Sequence, residues 1–144
     1  MTPAPADDDA TWRSRRREAA ADHASALERK QAGESQQARA LIAEFVAAAA
    51  ARGVPAVPLE ARSYAGRSRY RTTLRGWYLR QNESVAVATD GEFYVLSVAA
   101  SLRARLRGAT PPASDPPLIL GKGGRDGESM DLADALARIL DRAT

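Results

Sequence analysis

The chain has 144 residues, a formal net charge of +3, 44% hydrophobic and 6% aromatic residues, and no cysteine. This length fits one domain, and the many alanines predict a small core. The lack of cysteine excludes disulfides, thiolate metal sites and a cysteine nucleophile, while the abundance of arginine over lysine is typical of a GC-rich bacterial genome.

The first ten residues contain two prolines and three aspartates and no basic residue. This composition predicts a disordered acidic tail over residues 1–10. The segment lacks the apolar stretch of a secretory signal. The longest apolar run, Phe45 to Ala51, is too short to span a bilayer. We therefore expect a cytoplasmic protein that does not contact a membrane.

Residues 11–52 contain no proline and favour one long, alanine-rich helix. Its second half has an apolar stripe with helical spacing, formed by Ala38, Leu41, Ile42, Phe45, Val46, Ala49 and Ala50. Gly53 is suited to end this core helix. The first half, with Trp12 and Leu27 as its large apolar residues, has two interpretations: a helical arm that binds a partner, or a solvent-exposed extension of the core helix. Gly33 is a candidate break between the halves.

Residues 53–144 are predicted to form an α+β domain with its sheet in residues 54–98. Two prolines restrict Val54–Arg62 to an edge strand or an extended connector. Tyr70–Arg80 is the next strand, with a bulge expected at Gly76. Ser84–Val98 has the alternation of a β-hairpin around Asp90-Gly91, a dipeptide that favours a two-residue type I′ turn.

The remaining elements are short. Ser101 is expected to cap a helical turn that ends at Arg107. A proline-rich linker follows at 109–117, then a brief strand at Leu118–Leu120 and a C-terminal helix at 129–142. The fold class expected is α+β. A three- to four-stranded antiparallel meander is covered on one face by helices and preceded by the long N-terminal helix.

A glycine-rich loop stands between the last strand and the last helix. Glycines, two cations and a nearby helix N-terminus have two interpretations: a flexible connector that caps the last helix, or an anion site formed by Gly121, Lys122, Gly123, Gly124 and Arg125. With the preceding Ile119 and Leu120, this loop resembles the Gly-x-x-Gly loop of KH nucleic-acid-binding domains. That resemblance implies contact with a nucleic-acid backbone. Pro116, Pro117 and Gly127 depart from the family's pattern of two helices joined by the loop.

The positive charge is concentrated in residues 53–108, which carry nine basic and four acidic residues. Arginines alternate with aromatic residues along the predicted second strand. The expected interaction face comprises Arg71, Arg75, Trp77 and Tyr78, together with Trp12 of the arm. Such a face suits a protein interface or single-stranded nucleic acid, and it is equally typical of arginines that lie along aromatic rings at a solvated surface.

Catalytic chemistry has little support in the sequence. His23 is the only histidine and lies in the arm, so we predict no catalytic residue, no metal site and no cofactor. The expectation is a non-catalytic bacterial accessory or regulatory protein that binds a protein partner or itself. An RNA- or DNA-binding protein is the alternative. A third class is a small-molecule sensor that holds an anion in the Gly121–Gly127 loop.

Overall fold

The computed structural model describes residues 5–121 and 128–142. By internal contacts the chain divides into two units, Met1–Glu34 and Ser35–Thr144. The elements in chain order are α1 (Pro5–Arg52), β1 (Val57–Ser63), β2 (Arg69–Tyr78), β3 (Val85–Ala88), β4 (Phe93–Val95), β5 (Ser97–Val98), α2 (Leu102–Arg107), β6 (Ala113–Ser114), β7 (Ile119–Leu120), β8 (Met130–Asp131) and α3 (Leu132–Arg142).

The first unit contains the N-terminal part of α1. The helix begins at Pro5, inside the segment predicted to be disordered. Proline is favoured at the first helical position. Aspartates are favoured in the first turns because their negative charge complements the helix dipole. All side chains from Asp8 to Gly33 are exposed, so this unit has no core among its described residues. Gly33 lies within α1 and does not end it.

The C-terminal part of α1 is the core helix that the apolar stripe predicts. Ala38, Ile42, Phe45 and Ala49 are all buried. At its end, Gly53 has a φ of 69° and donates its N–H to the carbonyl of Ala50. The N–H of Val54 donates to the carbonyl of Ala49. This pair of bonds is a Schellman motif. The predicted stop at Gly53 is confirmed.

The sheet is larger than the predicted three- to four-stranded meander. It has six strands in the order β5-β1-β2-β3-β4-β6. All neighbouring pairs are antiparallel except β1 and β5, which are parallel. β1 therefore lies between two strands, and its prediction as an edge strand or connector was wrong. Pro58 is tolerated because the register shifts between Pro58 and Glu60.

The segment 93–98 pairs with both outer strands of the row β1-β2-β3, that is, with β1 and with β3. β4 pairs with β3, and β5, which follows after Leu96, pairs with β1. Leu96 joins the two sides because its N–H donates to the carbonyl of Ser84 and its carbonyl accepts from the N–H of Arg62. The strands β1, β2 and β3 and the segment 93–98 thus form a closed arrangement. The enclosed cluster consists of the buried residues Leu59, Ala86, Ala88, Tyr94 and Leu96.

The hairpin of β3 and β4 has a three-residue turn. The N–H of Ala88 donates to the carbonyl of Glu92, and the N–H of Gly91 donates to the carbonyl of Ala88. Gly91 has a positive φ of 82°, whereas Asp90 does not have a positive φ. The predicted hairpin is confirmed, but its type I′ turn was wrong: this pattern is a type I turn with a glycine bulge. Asp90 accepts hydrogen bonds from the N–H of Glu92 and the hydroxyl of Tyr94, both at 2.8 Å.

Gly76 keeps β2 close to β3 and is not the site of the bulge. The irregularity lies opposite Leu59, whose carbonyl accepts a 2.6 Å hydrogen bond from the hydroxyl of Thr72. A Cβ on Gly76 would collide with the Val87 carbonyl oxygen and lie 2.6 Å from the Cα of Ala88. Glycine is required there by the close approach of the neighbouring strand.

The outer face of the sheet packs on helices. Trp77, Leu79, Val87 and Phe93 form the main core with the second part of α1 and with α3, whose Leu132 and Leu136 are buried. The segment predicted as a linker, 109–117, packs against the sheet. It contributes β6, which pairs with β4, and the fully buried Pro116. The fold is therefore α+β with helices over one face of a mostly antiparallel sheet.

Candidate interaction surface

The short helix α2 has well-defined ends. The Ser101 hydroxyl oxygen accepts a 3.3 Å hydrogen bond from the N–H of Ala104, which confirms the predicted cap. Gly108, at a φ of 88°, donates its N–H to the carbonyl of Ala104. Six residues are too few for a helix to be stable by propensity alone, so contacts with the sheet must hold it in place.

Those contacts are polar and come from β2. The Tyr70 hydroxyl accepts a 3.1 Å bond from the N–H of Ser101 at the start of the helix. The Arg71 guanidinium donates a 3.0 Å bond to the Leu106 carbonyl at its end, and the Arg71 carbonyl accepts from the N–H of Ala109. No residue of α2 is buried. Hydrogen bonds to backbone groups therefore attach the helix, and its apolar side chains do not.

The two leucines of α2 are exposed to solvent. Leu102 is 76% exposed and Leu106 is 74% exposed. Residues four apart lie side by side on one helical face, so the leucines form one outward apolar pair. Ala104, on the opposite side of the helix, is the half-buried residue. This arrangement is the reverse of an ordinary amphipathic helix, in which leucines face the core.

Arginines surround the leucine pair. Arg103, Arg105 and Arg107 are exposed, and their guanidinium groups make no hydrogen bond or ion pair with any described residue. We call Leu102, Leu106 and these three arginines the α2 surface. Residues 61–82 contain six arginines and 93–114 contain three, without one acidic residue in either segment. Because β2 and α2 are in contact, the fold brings two acid-free segments together.

Surface cavities flank α2. One of about 280 Å³ is lined by Ser68, Tyr70, Leu102 and Arg105, among others. Another, of about 440 Å³, includes Arg103, Ala104 and the proline-containing segment 108–112. The helix therefore stands as a ridge between two depressions, a shape that a complementary partner surface can enclose.

The residues of the predicted interaction face do not form one surface. Trp77 is 8% exposed and packs edge-on against Phe45, with ring centroids 5.1 Å apart. Its indole N–H has no acceptor among the described residues. Tyr78 is half-buried and packs against the enclosed cluster, and its hydroxyl accepts a hydrogen bond from the N–H of Glu60. Arg75 donates to the carbonyl of Ala56.

Of that predicted set, Arg71 is the residue that contacts the α2 surface. Trp12 lies in the first unit, where it is 58% exposed, and the Arg16 guanidinium carbon is 4.4 Å from the centre of its ring. A cation–π pair on a solvated helix contributes about 0.5–1 kcal/mol.

Most of the predicted anion loop, Lys122, Gly123, Gly124 and Arg125, lies outside the described residues. Gly121 is described and has a φ of 77°. The segments before and after the loop, β7 and β8, pair as antiparallel strands. The KH-like arrangement implied by the resemblance was therefore wrong, because the loop connects two strands and not two helices.

The phenol of Tyr94 has a perturbed pKa. Burial, followed by the hydrogen bond to Asp90 and its charge, raises the pKa of Tyr94 to about 12. Within the described ranges, no three His, Cys, Asp or Glu residues are arranged to hold a metal ion. Among those same residues, no helix has the length and apolar character that crossing a bilayer requires.

The prediction from sequence missed Leu102 and Leu106. Their signal was present in Leu-Arg-Ala-Arg-Leu-Arg, where two leucines four residues apart stand among arginines in a segment too short to belong to the core. Comparison with protein-family models, curated proteins and solved structures found no match.

Proposed function

We propose that the protein is a non-catalytic binding protein that docks on a protein partner through the α2 surface. The partner's complementary site is an apolar groove bordered by carboxylates. The observation that carries the proposal is the outward leucine pair, 76% and 74% exposed, beside arginines that have no partner among the described residues. Apolar residues in the centre with charges around them are the usual anatomy of a protein interface.

The arginines contribute specificity in this proposal. An unpaired guanidinium retains its full capacity for a bidentate bond to a carboxylate. The three arginines of the α2 surface also attract acidic partners over several ångströms and raise the association rate. The leucines then provide apolar area that leaves water on docking, at about 25 cal/mol per Å².

The size of the α2 surface suits a reversible interaction. A ridge of six residues buries an area at the low end for protein complexes, where transient signalling contacts are found. An accessory or regulatory role is consistent with that size, because such proteins associate and dissociate repeatedly.

Nucleic acid is a weaker candidate for this surface. Single-stranded nucleic acid is bound by exposed aromatic rings on which bases stack. Two aromatic residues of the basic strand segment, Tyr70 and Trp77, are 3% and 8% exposed, whereas Tyr64 is 75% exposed. The nucleic-acid alternative therefore rests on the arginines, and exposed leucines have no function in it.

Site-specific photo-crosslinking tests the proposal. A photoreactive amino acid replaces Leu106 in the full chain, expressed in the native host, and a matched variant carries it at Leu27, which is 51% exposed on α1. We expect a protein adduct from position 106 and not from position 27. The captured protein is then purified by itself, and its affinity is measured for wild type and for the Leu102→Ala/Leu106→Ala variant.

The same binding assay separates the two functions. For a protein partner, the double leucine variant loses at least about tenfold in affinity, since the apolar contribution disappears. For nucleic acid, the leucine variant binds like wild type. In that case Arg103→Gln/Arg105→Gln reduces both the affinity and its salt dependence. A nucleic-acid adduct at position 106, or unchanged affinity of the leucine variant, contradicts the proposal.

A further inference from the structure

A second concave site lies away from α2. Its volume is about 330 Å³, within the range of small-molecule sites. The described residues that line it come from the end of β2 and the turn after it, from the start of β8, and from α3. Its polar wall includes Arg80, Asn82, Glu128, Arg138 and Arg142, and its apolar wall includes Leu79, Met130, Ala135 and Ile139.

The described residues of the lining carry an excess of positive charge. They include three arginines and one glutamate, Glu128, which sum to a formal charge of +2. Arg138 has the Met130 sulfur, 4.0 Å from its Nη1, as its polar contact. Arg142 makes no hydrogen bond or ion pair with any described residue. Like charges four apart on a helix repel each other, so Arg138 and Arg142 favour an anion between them.

Two backbone contacts hold the guanidinium of Arg80 in the wall of the cavity. Its Nη2 donates a 3.1 Å bond to the Glu128 carbonyl. Its Nη1 lies against the backbone of Gly121, where a Cβ would collide with it. A glycine at position 121 therefore makes room for the guanidinium. The predicted anion loop begins at Gly121, and the described cation beside that glycine, Arg80, lines the cavity.

An apolar depression adjoins the cavity. Its volume is about 300 Å³, and it shares Tyr78, Ile139 and Arg142 with the first. The other residues of its lining are all apolar or aromatic: Val54, Pro55, Val57 and Trp77. One molecule that spans both spaces would have a charged end among the arginines and an apolar end against this second wall.

We propose that the two cavities together bind a phosphate monoester with a small apolar group. A phosphate monoester carries about −1.5 to −2 charges at neutral pH, which matches the formal +2 of the described lining residues, whereas a monocarboxylate does not. Arg138 and Arg142 bind the phosphate oxygens with charge-assisted hydrogen bonds, and Arg80 contributes its positive charge. The apolar group packs on Ile139 and Val57. This site goes beyond the proposed function and shares no lining residue with the α2 surface.

Calorimetric titration of the full chain with phenyl phosphate, inorganic phosphate and benzoate tests the proposal. We expect saturable binding of phenyl phosphate, at least about tenfold weaker binding of inorganic phosphate because it lacks the apolar group, and similarly weak binding of benzoate because it has one charge. Arg138→Gln/Arg142→Gln removes binding of phenyl phosphate. Both arginines are exposed, so the variant should fold, and its circular dichroism spectrum verifies this.

Two matched variants sharpen the result. Val57→Gln, at a position 42% exposed, weakens the binding of phenyl phosphate but leaves the binding of inorganic phosphate unchanged. Arg103→Gln/Arg107→Gln removes the same charge from α2 and leaves phenyl phosphate binding intact. Equal loss in the α2 and α3 arginine variants, benzoate as tight as phenyl phosphate, or no saturation by about 10 mM overturns the proposal. None of these outcomes bears on docking through α2, which the leucine variants test separately.

Discussion

The exposure of Leu102 and Leu106 makes a quantitative prediction about stability. Each leucine is about three-quarters exposed, so about a quarter of its area contributes to the folded state. Full burial of a leucine contributes about 1.5–3 kcal/mol, and a quarter of this is about 0.4–0.8 kcal/mol. Alanine also has a higher helix propensity than leucine. The variant Leu102→Ala/Leu106→Ala should therefore lose less than about 1.5 kcal/mol of unfolding free energy.

The control is a leucine pair with the same spacing on α3. Leu132 and Leu136 are 0% and 4% exposed, and replacing a buried leucine by alanine costs about 2–5 kcal/mol. Leu132→Ala/Leu136→Ala should lose at least about 4 kcal/mol. Urea denaturation followed by circular dichroism, with unchanged m-values, measures both. A loss above about 2 kcal/mol in the α2 variant would refute the reasoning, since the leucines would then belong to the core.

Three further predictions concern the fold. Gly76→Ala should destabilise the protein by about 1–3 kcal/mol because its Cβ collides with the Val87 carbonyl. A Cβ added at Gly33 would meet no atom within 4 Å, so Gly33→Ala should raise the helical circular dichroism signal or leave it unchanged. Equal losses of unfolding free energy in the Gly76 and Gly33 variants would contradict the close approach of β2 and β3. Because the pKa of Tyr94 is raised to about 12 from 10.0, the stability contributed by its neutral form is present below pH 10 and decreases as the pH rises towards 12. Unfolding measured across this range should show a decrease that Tyr94→Phe reduces, and the same decrease in both proteins would argue against a buried phenol. Trp12→Ala should change the unfolding free energy by less than about 0.5 kcal/mol; a larger loss in denaturation would show that the ring is packed.

Much of the fold class follows from local patterns. The stripe from Ala38 to Ala50, the stop at Gly53 and the cap at Ser101 depend on nearby residues. The structure confirms the stop, the cap and the stripe up to Ala49, whereas Ala50 is exposed. The sheet order does not follow from such patterns. The parallel pairing of β5 with β1 joins residues more than thirty positions apart, and short strands such as β6 carry almost no signal of their own.

The interaction surface illustrates why site prediction is harder. Arginine and aromatic residues along β2 favoured a single face, but burial depends on which face the helices cover. Trp77 faces the core helix, whereas Tyr78 faces the enclosed cluster. The sequence analysis did not single out Leu102 and Leu106, because polar contacts from Tyr70 and Arg71 hold α2 with its leucines outward and such long-range contacts are not visible in the local pattern.

The most direct test of the central claim is the affinity of the partner crosslinked at position 106, measured for wild type and for Leu102→Ala/Leu106→Ala at two salt concentrations. Docking through α2 predicts a loss of at least about tenfold in the variant at both concentrations. An affinity that is the same for both proteins and falls steeply with salt would contradict it, because the arginines alone would then account for binding.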